Sequence, residues 1–472
     1  MRRQYNIFSQ LDYTTIGIFL LLTLIGWISV YASVFNEEHD SIFDITQRYG
    51  MQLIWIISSI VLAAIVLLTN HKVFSVLAYI IYGIVILLLI LVLIIGVEVK
   101  GSQSWFIVGP IRLQPAELAK VATSLALAKL MSQYNFNLRK LRNILSVSAI
   151  LLLPVALILL QTDTGSALVF SSLVFMFYRE GLSGWIVSII AFCAILFILS
   201  VIWEPISVLL FIWVVCLMLY AIVHKNKYEV LLMAVISIGG YFLFINYLLP
   251  AFKLSVVDEY FFLGICLLTL IVEGIIAVRK KIRYFWLFLL IFVSSVTVTS
   301  SVDYVYDHLL QQHHRDRIED MLGLIDDPQG IGYNVYQSKV AIGSGGMTGK
   351  GFLKGTQTKY NFVPEQSTDF IFCTIGEEWG FIGVLIVIAL YVWLLIRILE
   401  ISERQRDSFA RIYGYCVVSI ISFHVLLNIA MTIGLAPVIG IPLPFISYGG
   451  SSLWAFTLLL FILLKFDAVK WE

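Results

Sequence analysis

Long apolar runs recur along nearly the whole chain, and they limit the possible folds more than any other feature. They lie near residues 13 to 34, 50 to 69, 73 to 97, 115 to 133, 144 to 160, 164 to 178, 183 to 202 and 206 to 223. Others lie near 229 to 248, 259 to 278, 284 to 301, 369 to 397, 408 to 434 and 448 to 466. Each approaches the ~20 residues that a helix rising about 1.5 Å per residue needs to cross a ~30 Å hydrocarbon layer. Of the 472 residues, 60% are hydrophobic and 13% charged, about half the charged fraction of a soluble domain. A water-soluble multidomain enzyme is excluded. The expected fold class is an all-α polytopic integral membrane protein with about fourteen transmembrane helices.

Charge placement sets the expected orientation, because cytoplasmic loops carry the excess of Lys and Arg and long loops are left out of the count. With the N-terminus inside, cytoplasmic segments hold nineteen such residues, while the short outer loops hold four: Arg48, Lys100, Arg112 and Lys253. Both termini are therefore expected in the cytoplasm, and the long polar stretch from 302 to 368 becomes one large extracytoplasmic loop. The first run follows Arg2 and Arg3 without a small-residue cleavage site and reads as a retained anchor. A net charge of +1 with no long basic tract argues against a nucleic acid partner. The five cysteines sit inside apolar runs without CxxC spacing, so neither a disulfide framework nor a zinc site is expected.

Several polar clusters interrupt this background. Gly343 to Gly351 imitates a phosphate loop but has Ser344 where the motif needs Gly and Gly351 where it needs Ser or Thr. With Lys339 and Lys350 nearby it suits an anionic ligand, or equally a mobile glycine linker. Asp369 stands where a polar loop enters an apolar helix. Burial there would tune its carboxylate as a general base, and an N-cap role is the alternative. Glu377 and Glu378 lie two turns deeper, where a carboxylate is costly and usually faces a cavity or partner. Trp105, Arg112, Glu117 and Lys120 gather at the start of the fourth run, although Pro115 and Glu117 also make an ordinary helix start. Asp163 separates two runs with almost no loop and reads as a turn residue or as a polar group at the outer mouth. Glu273 is expected to snorkel to the inner surface. Asn428 through Pro437 and Pro442 to Ser452, with Ser447, end one run and open the last, and by composition they read as a re-entrant turn.

Taken together, the stretches KGSQSW with QPAELAK, QTDTGSA, DPQGIGYNVYQSKVAIGSGGMTGKGFLKGTQTKYNFVPEQSTDFIF with GEEWGFIG, and LPFISYGGSS closely resemble the SEDS family of bacterial membrane proteins. GTQTK before FVPEQ looks like that family's RodA branch more than its FtsW branch. The resemblance implies a peptidoglycan glycosyltransferase of the bacterial inner membrane that polymerises lipid II during cell elongation. Its implied partners are lipid II, the undecaprenyl-linked glycan, membrane lipid and a class B penicillin-binding protein. The Asp of the family's PExxTDF motif falls on Asp369 as catalytic candidate, and the Glu and Lys of QPxExxK fall on Glu117 and Lys120. Glu365 and Ser447 join the substrate-binding candidates from the same motifs. A divalent cation, Mg or Mn, is an expected cofactor, with Glu117 a candidate ligand.

Two departures stand out. Ser367 occupies a position where the family usually has His, and eleven runs precede the outer loop where the family has about seven. The expected organisation is accordingly a SEDS-like core half at 1–202, inserted helices at 203–301, the outer loop at 302–368 and three core helices at 369–472. In the expected reaction Asp369 accepts the proton of an attacking sugar hydroxyl and undecaprenyl diphosphate leaves with inversion. The rival readings are a lipid II transporter and a non-catalytic scaffold of the elongation machinery.

Overall fold

The computed structural model describes residues 10–35, 42–99, 101–109, 111–138, 140–223, 227–248, 258–280, 284–304, 306, 312–322, 324, 330, 332–360 and 362–470. Arg2, Arg3, Lys100, Lys253, His308 and the Asp326-Asp327-Pro328 run lie outside the described residues. The chain divides into two units, one formed by residues 1–183 with 326–472 and the other by 184–325.

The first unit opens with α1 (Tyr13–Val34), α2 (Arg48–Leu68) and α3 (His71–Ile95). Asp12 and Asn70 cap α1 and α3 by accepting from the backbone N–H groups of Thr15 and Lys72, each at 3.0 Å, which satisfies donors a helix start leaves open. A small antiparallel sheet follows, with β1 (Val97–Val99), β2 (Ser102–Val108) and β3 (Ile111–Leu113). Next come α4 (Pro115–Met131), α5 (Leu141–Leu160), α6 (Thr164–Val169) and, after a 3₁₀ turn at Phe170–Ser172, α7 (Leu173–Arg179). α4 is buried on nearly every side. Ala116, Ala119, Ala122, Ala126 and Ala128 are all buried, and small side chains let neighbouring helices approach closely.

The second unit holds α8 (Gly184–Ile202), α9 (Pro205–Val223), α10 (Lys227–Ala234), α11 (Gly240–Leu243), α12 (Asp258–Lys280), α13 (Tyr284–Tyr304) and the polar α14 (Gln312–Leu322). π-helical turns flank α11. Its core is aromatic, built from Trp213, Tyr220, Tyr241, Phe262, Phe285, Phe288 and Phe292. Trp213 donates to the Ser237 hydroxyl at 2.7 Å, so the large ring is buried with its polar edge satisfied. Glu273 does not snorkel. It is 3% exposed and accepts from the Tyr220 hydroxyl at 3.1 Å, a buried partner that removes the need to reach the membrane surface. This unit begins with α8, which the expected boundary at 203 assigns to the preceding segment.

The chain then returns to the first unit with α15 (Tyr333–Ser344), α16 (Thr356–Lys359), α17 (Ile371–Glu403), α18 (Ser408–Thr432) and α19 (Gly450–Ala468). Between α18 and α19, residues 433–449 form no helix, yet Ile441, Leu443, Phe445 and Ile446 are buried in the core. Gly26 of α1 makes room for them. A Cβ at Gly26 would lie 2.6 Å from Ile446 Cα.

Eleven helices among the described residues are long and apolar enough to cross a membrane. The chain is a multi-pass membrane protein. Three of the fourteen sequence runs fall outside that set. α4 is 17 residues long and carries Glu117, Lys120 and Lys129, and the run at 164–178 is broken by its 3₁₀ turn; the third is α13, which runs Tyr284–Tyr304 with no charged residue before Asp303.

At the end of the first unit that carries the chain's Arg-rich turns, Arg397 and Arg404 both donate to Asp12, and Arg404 also donates to Asp467. Burial pushes the Asp12 carboxyl up, but the Thr15 N–H and the Arg397 guanidinium outweigh it and hold the group below its usual value.

Because the buried backbone at Phe445 and Ile446 cannot retreat, replacing Gly26 with Ala is expected to destabilise the protein by about 1–3 kcal/mol, the usual cost of overpacking. A melting midpoint in detergent equal to that of the unaltered protein would show that α1 does not hold this segment.

Candidate active site

The segment after α18 organises the polar centre of the first unit. Gly440, at φ +74°, passes beside Asp369, and a Cβ there would sit 3.5 Å from Asp369 Oδ2. Asn428 Nδ2 donates to the Asp369 carbonyl at 2.8 Å and to the Ile441 carbonyl at 2.7 Å. Ser447 Oγ donates to the Thr368 carbonyl at 2.6 Å and accepts from the Leu443 N–H at 2.8 Å. Tyr448 N–H donates to the Ser367 carbonyl at 2.8 Å. The backbone on both sides of Asp369 is thus fixed by three different side chains or amides while its carboxyl stays half-buried. The N-cap position of α17 is Phe370, one residue later, and it makes no side-chain cap bond. Asp369 is held by its main chain and is not the helix cap.

One turn of α18 before Asn428, His424 Nε2 lies 3.0 Å from Lys120 Nζ, and its Nδ1 lies 3.2 Å from the Pro442 carbonyl oxygen. Lys120 also donates to Glu117 at 2.8 Å and sits 5.0 Å from the Phe456 ring centroid. Glu117 is 3% and Lys120 1% exposed, so this pair is an internal ion pair of the core. A protein-held divalent cation does not fit here. The Glu117 carboxylate already faces an ammonium group, and among the described residues no three His, Cys, Asp or Glu side chains converge as ligands.

Asp163 joins two of the motifs. It caps α6 by accepting from the Ser166 N–H at 3.0 Å and hydroxyl at 2.8 Å, and it accepts from Gln114 Nε2 at 2.7 Å. The hairpin that precedes α4 packs on the same turn, with Ser102 Oγ and Gln103 N–H both donating to the Gln161 carbonyl. Trp105 is half-buried opposite Val97 in β2, whereas Arg112 in β3 is exposed.

The glycine-rich run is neither a phosphate loop nor a loose linker. α17 breaks at Gly380, where φ is +65°, and the break frees backbone groups from helix bonding. The run supplies their partners. Lys350 and Gly351 donate N–H groups to the Glu377 and Glu378 carbonyls at 3.0 Å, and Phe381 donates to the Gly346 carbonyl at 2.9 Å. A Cβ on Gly345 or Gly349 would collide with the Gly376 or Glu378 carbonyl, so only glycine allows the approach. Glu377, fully buried, accepts from Lys350 Nζ at 2.7 Å and from the N–H groups of Thr356, Gln357 and Thr358. Lys350 is therefore engaged within the loop. Lys339 is exposed on α15 and lies over Gly434, and Glu365, at φ +52°, accepts from the Thr368 hydroxyl at 3.1 Å.

His424, Asn428, Arg48 and Gln52 were not among the sequence candidates. Arg48 Nη1 donates to Ser367 Oγ at 2.6 Å and its guanidinium lies 6.0 Å from the Tyr448 ring centroid; Gln52 accepts from the Gly449 N–H at 3.3 Å. An ionisable or amide side chain inside an apolar run was the available signal for His424 and Asn428. Arg48 entered only the loop-charge count.

Comparison with known proteins places this arrangement. The profile of the FtsW, RodA and SpoVE family, described as cell cycle proteins, matches residues 12–228 and 262–470. The chain belongs to that family. It is 31% identical over 464 residues, 98% of each chain, to the peptidoglycan glycosyltransferase RodA of Treponema pallidum. It is 44% identical over 164 residues to the peptidoglycan glycosyltransferase MrdB of Escherichia coli K12, a match covering 35% of this chain and 44% of that protein. Among solved structures, a chain of a peptidoglycan synthase complex that coordinates polymerization and crosslinking aligns with a TM-score of 0.61 at 22% identity, over 98% of this chain and 99% of that one. The crystal structure of the rod shape determining protein RodA of Thermus thermophilus aligns with a TM-score of 0.56 at 20% identity, over 98% of each chain. Those two likenesses establish a shared fold.

Replacing Glu377 with Ala removes the acceptor for one ammonium and three backbone amides. The variant is expected to expose residues 350–358 to protease and to lose about 3–5 kcal/mol of stability, as when one partner of a buried pair is deleted. Unaltered cleavage kinetics in limited proteolysis would mean that the glycine run is held by other bonds.

Proposed function

We propose that this chain is a peptidoglycan glycosyltransferase that polymerises lipid II into glycan strands at the outer face of the bacterial inner membrane during cell elongation. Full-length similarity to a RodA named as such supports the activity. The observation that carries the residue-level reading is Asp369, whose flanking peptide groups are clamped by Asn428 and Ser447.

In this reading Asp369 accepts the proton from the sugar 4-hydroxyl of one lipid II. The hydroxyl oxygen forms a bond to the anomeric carbon of the lipid-linked chain, and the carbon–oxygen bond to undecaprenyl diphosphate breaks with inversion. The diphosphate leaves with the electron pair, so cations near the developing charge assist. Lys120 is sealed in the core and Lys350 is tied to Glu377, whereas the exposed Arg112, Lys339, Lys354 and Arg48 are open to approach it. Trp105, Asp163, Glu365 and Ser447 are the further substrate-binding candidates in this reading. A class B penicillin-binding protein is the partner that crosslinks the product, a reading supported by the fold shared with a chain of a polymerizing and crosslinking complex.

The topology belongs to the same proposal. Fourteen crossings follow from the apolar runs, and cytoplasmic termini with an outer 302–368 loop follow from the loop charges, nineteen against four. Four helices added within about 180–301 would bring a ten-helix core to fourteen, and the residues 229–261 that the family profile leaves unmatched fall within that stretch and within the 184–325 unit.

Two measurements test these readings. Purified Asp369→Asn protein is expected to lose about 10²–10⁴-fold in polymerisation of labelled lipid II while keeping its melting midpoint, the range typical of a removed general base. Near-normal glycan chain formation would reject the assignment, and lipid II movement across vesicles without polymer would favour a transporter. For topology, a cysteine replacing the exposed Tyr336 in a cysteine-free background should react with an impermeant maleimide added outside intact cells. Labelling only after permeabilisation would place the loop inside.

A further inference from the structure

We infer that His424 is a positioning residue that sets the orientation of Asp369 through the backbone of the largely buried 441–447 stretch. The inference rests on the polymerase reading of the site and goes beyond it, since it concerns a side chain that makes no approach to the sugar.

The argument starts with proton positions. An ammonium group has donors and no acceptor, so the His424 Nε2 facing Lys120 Nζ at 3.0 Å must present its lone pair. The ring proton therefore sits on Nδ1 and is donated to the Pro442 carbonyl at 3.2 Å. That carbonyl belongs to the same peptide unit as the Leu443 N–H, which donates to Ser447 Oγ at 2.8 Å. Ser447 in turn donates at 2.6 Å to the Thr368 carbonyl, whose peptide unit carries the Asp369 nitrogen. A bonded path thus runs from Glu117 through Lys120, His424, the 442–443 peptide and Ser447 to the peptide unit that begins Asp369.

A parallel clamp lies one helical turn away. Asn428 grips the carbonyls of Ile441 and Asp369, so α18 holds two successive carbonyls of the buried segment, Ile441 and Pro442, with side chains four residues apart. Residues at that spacing share a helix face about 6 Å apart along the axis. Asn428 fixes the carbonyl side of Asp369 and His424 fixes its nitrogen side. Loss of either would let the carboxyl rotate without removing it. His424 is 1% exposed and packs edge-on against Phe456, with ring centroids 4.8 Å apart, so it has one available position.

The test uses the full-length reconstituted protein and labelled lipid II, with His424→Leu, His424→Gln and His424→Asn. Glutamine can accept from Lys120 and donate to Pro442; leucine can do neither, and asparagine is too short to span both. The leucine and asparagine variants are expected to lose about a hundredfold in kcat, the order of loss when a reacting group is displaced by about 1 Å, with KM within about twofold. Glutamine is expected to restore most of kcat. Hydrogen exchange read by mass spectrometry should show faster exchange at residues 443–448 in the leucine and asparagine variants and recovery in the glutamine variant. Equal kcat and equal exchange across all variants would overturn the inference with the polymerase reading intact. If the unaltered protein makes no polymer, that reading fails, and the exchange comparison alone decides whether His424 holds the segment.

Discussion

Everything around the site depends on a non-helical chain segment being buried in an apolar helical core. Backbone N–H and C=O groups that leave a helix inside a membrane protein must find partners without water. Residues 441–449, largely buried, meet that demand with side chains projecting from the surrounding helices. Asn428 and His424 come from α18, Gln52 from α2, and Tyr391 of α17 donates to the Pro444 carbonyl at 2.5 Å. The segment repays the arrangement in geometry, because its own groups, Ser447 and the Tyr448 amide, fix the 367–369 backbone. The helices are scaffold, and the irregular chain between them positions the proposed base.

The same rule explains the glycine-rich loop. A helix interrupted at Gly380 leaves carbonyls and amides without partners, and the glycine-rich run satisfies them by lying directly on the break. Glycine is required there by closeness of approach, with no phosphate involved. Glu377, which as an isolated carboxylate in a membrane helix would be costly, becomes an anchor because three amides and an ammonium converge on it.

Charges in this protein therefore fall into two groups. Glu117 with Lys120, Glu377 with Lys350 and Arg404 with Asp467 are committed to internal pairs that hold elements together. Arg112, Lys339 and Arg48 are exposed, and Arg48 also reaches Ser367, the position where the resemblance led one to expect His. Charges of the second kind, exposed Lys354 among them, can meet an anionic ligand without first breaking the fold.

The sequence by itself determined the membrane class, the approximate helix positions and the family, and it marked Asp369 as the candidate base, because hydrophobic run length and a specific motif are local properties of the chain. It also marked Pro442 to Ser452 as irregular, since proline and glycine impose that locally. It could not assign the partners of that segment: His424 and Asn428 look like stray polar residues in an apolar run until α18 is packed against residues 441 and 442. Nor could it tell that Lys350 and Lys120 are already paired, or that Glu273 meets Tyr220 and not the membrane surface. Those outcomes come from contacts between residues far apart in the chain, which only tertiary packing brings within bonding distance.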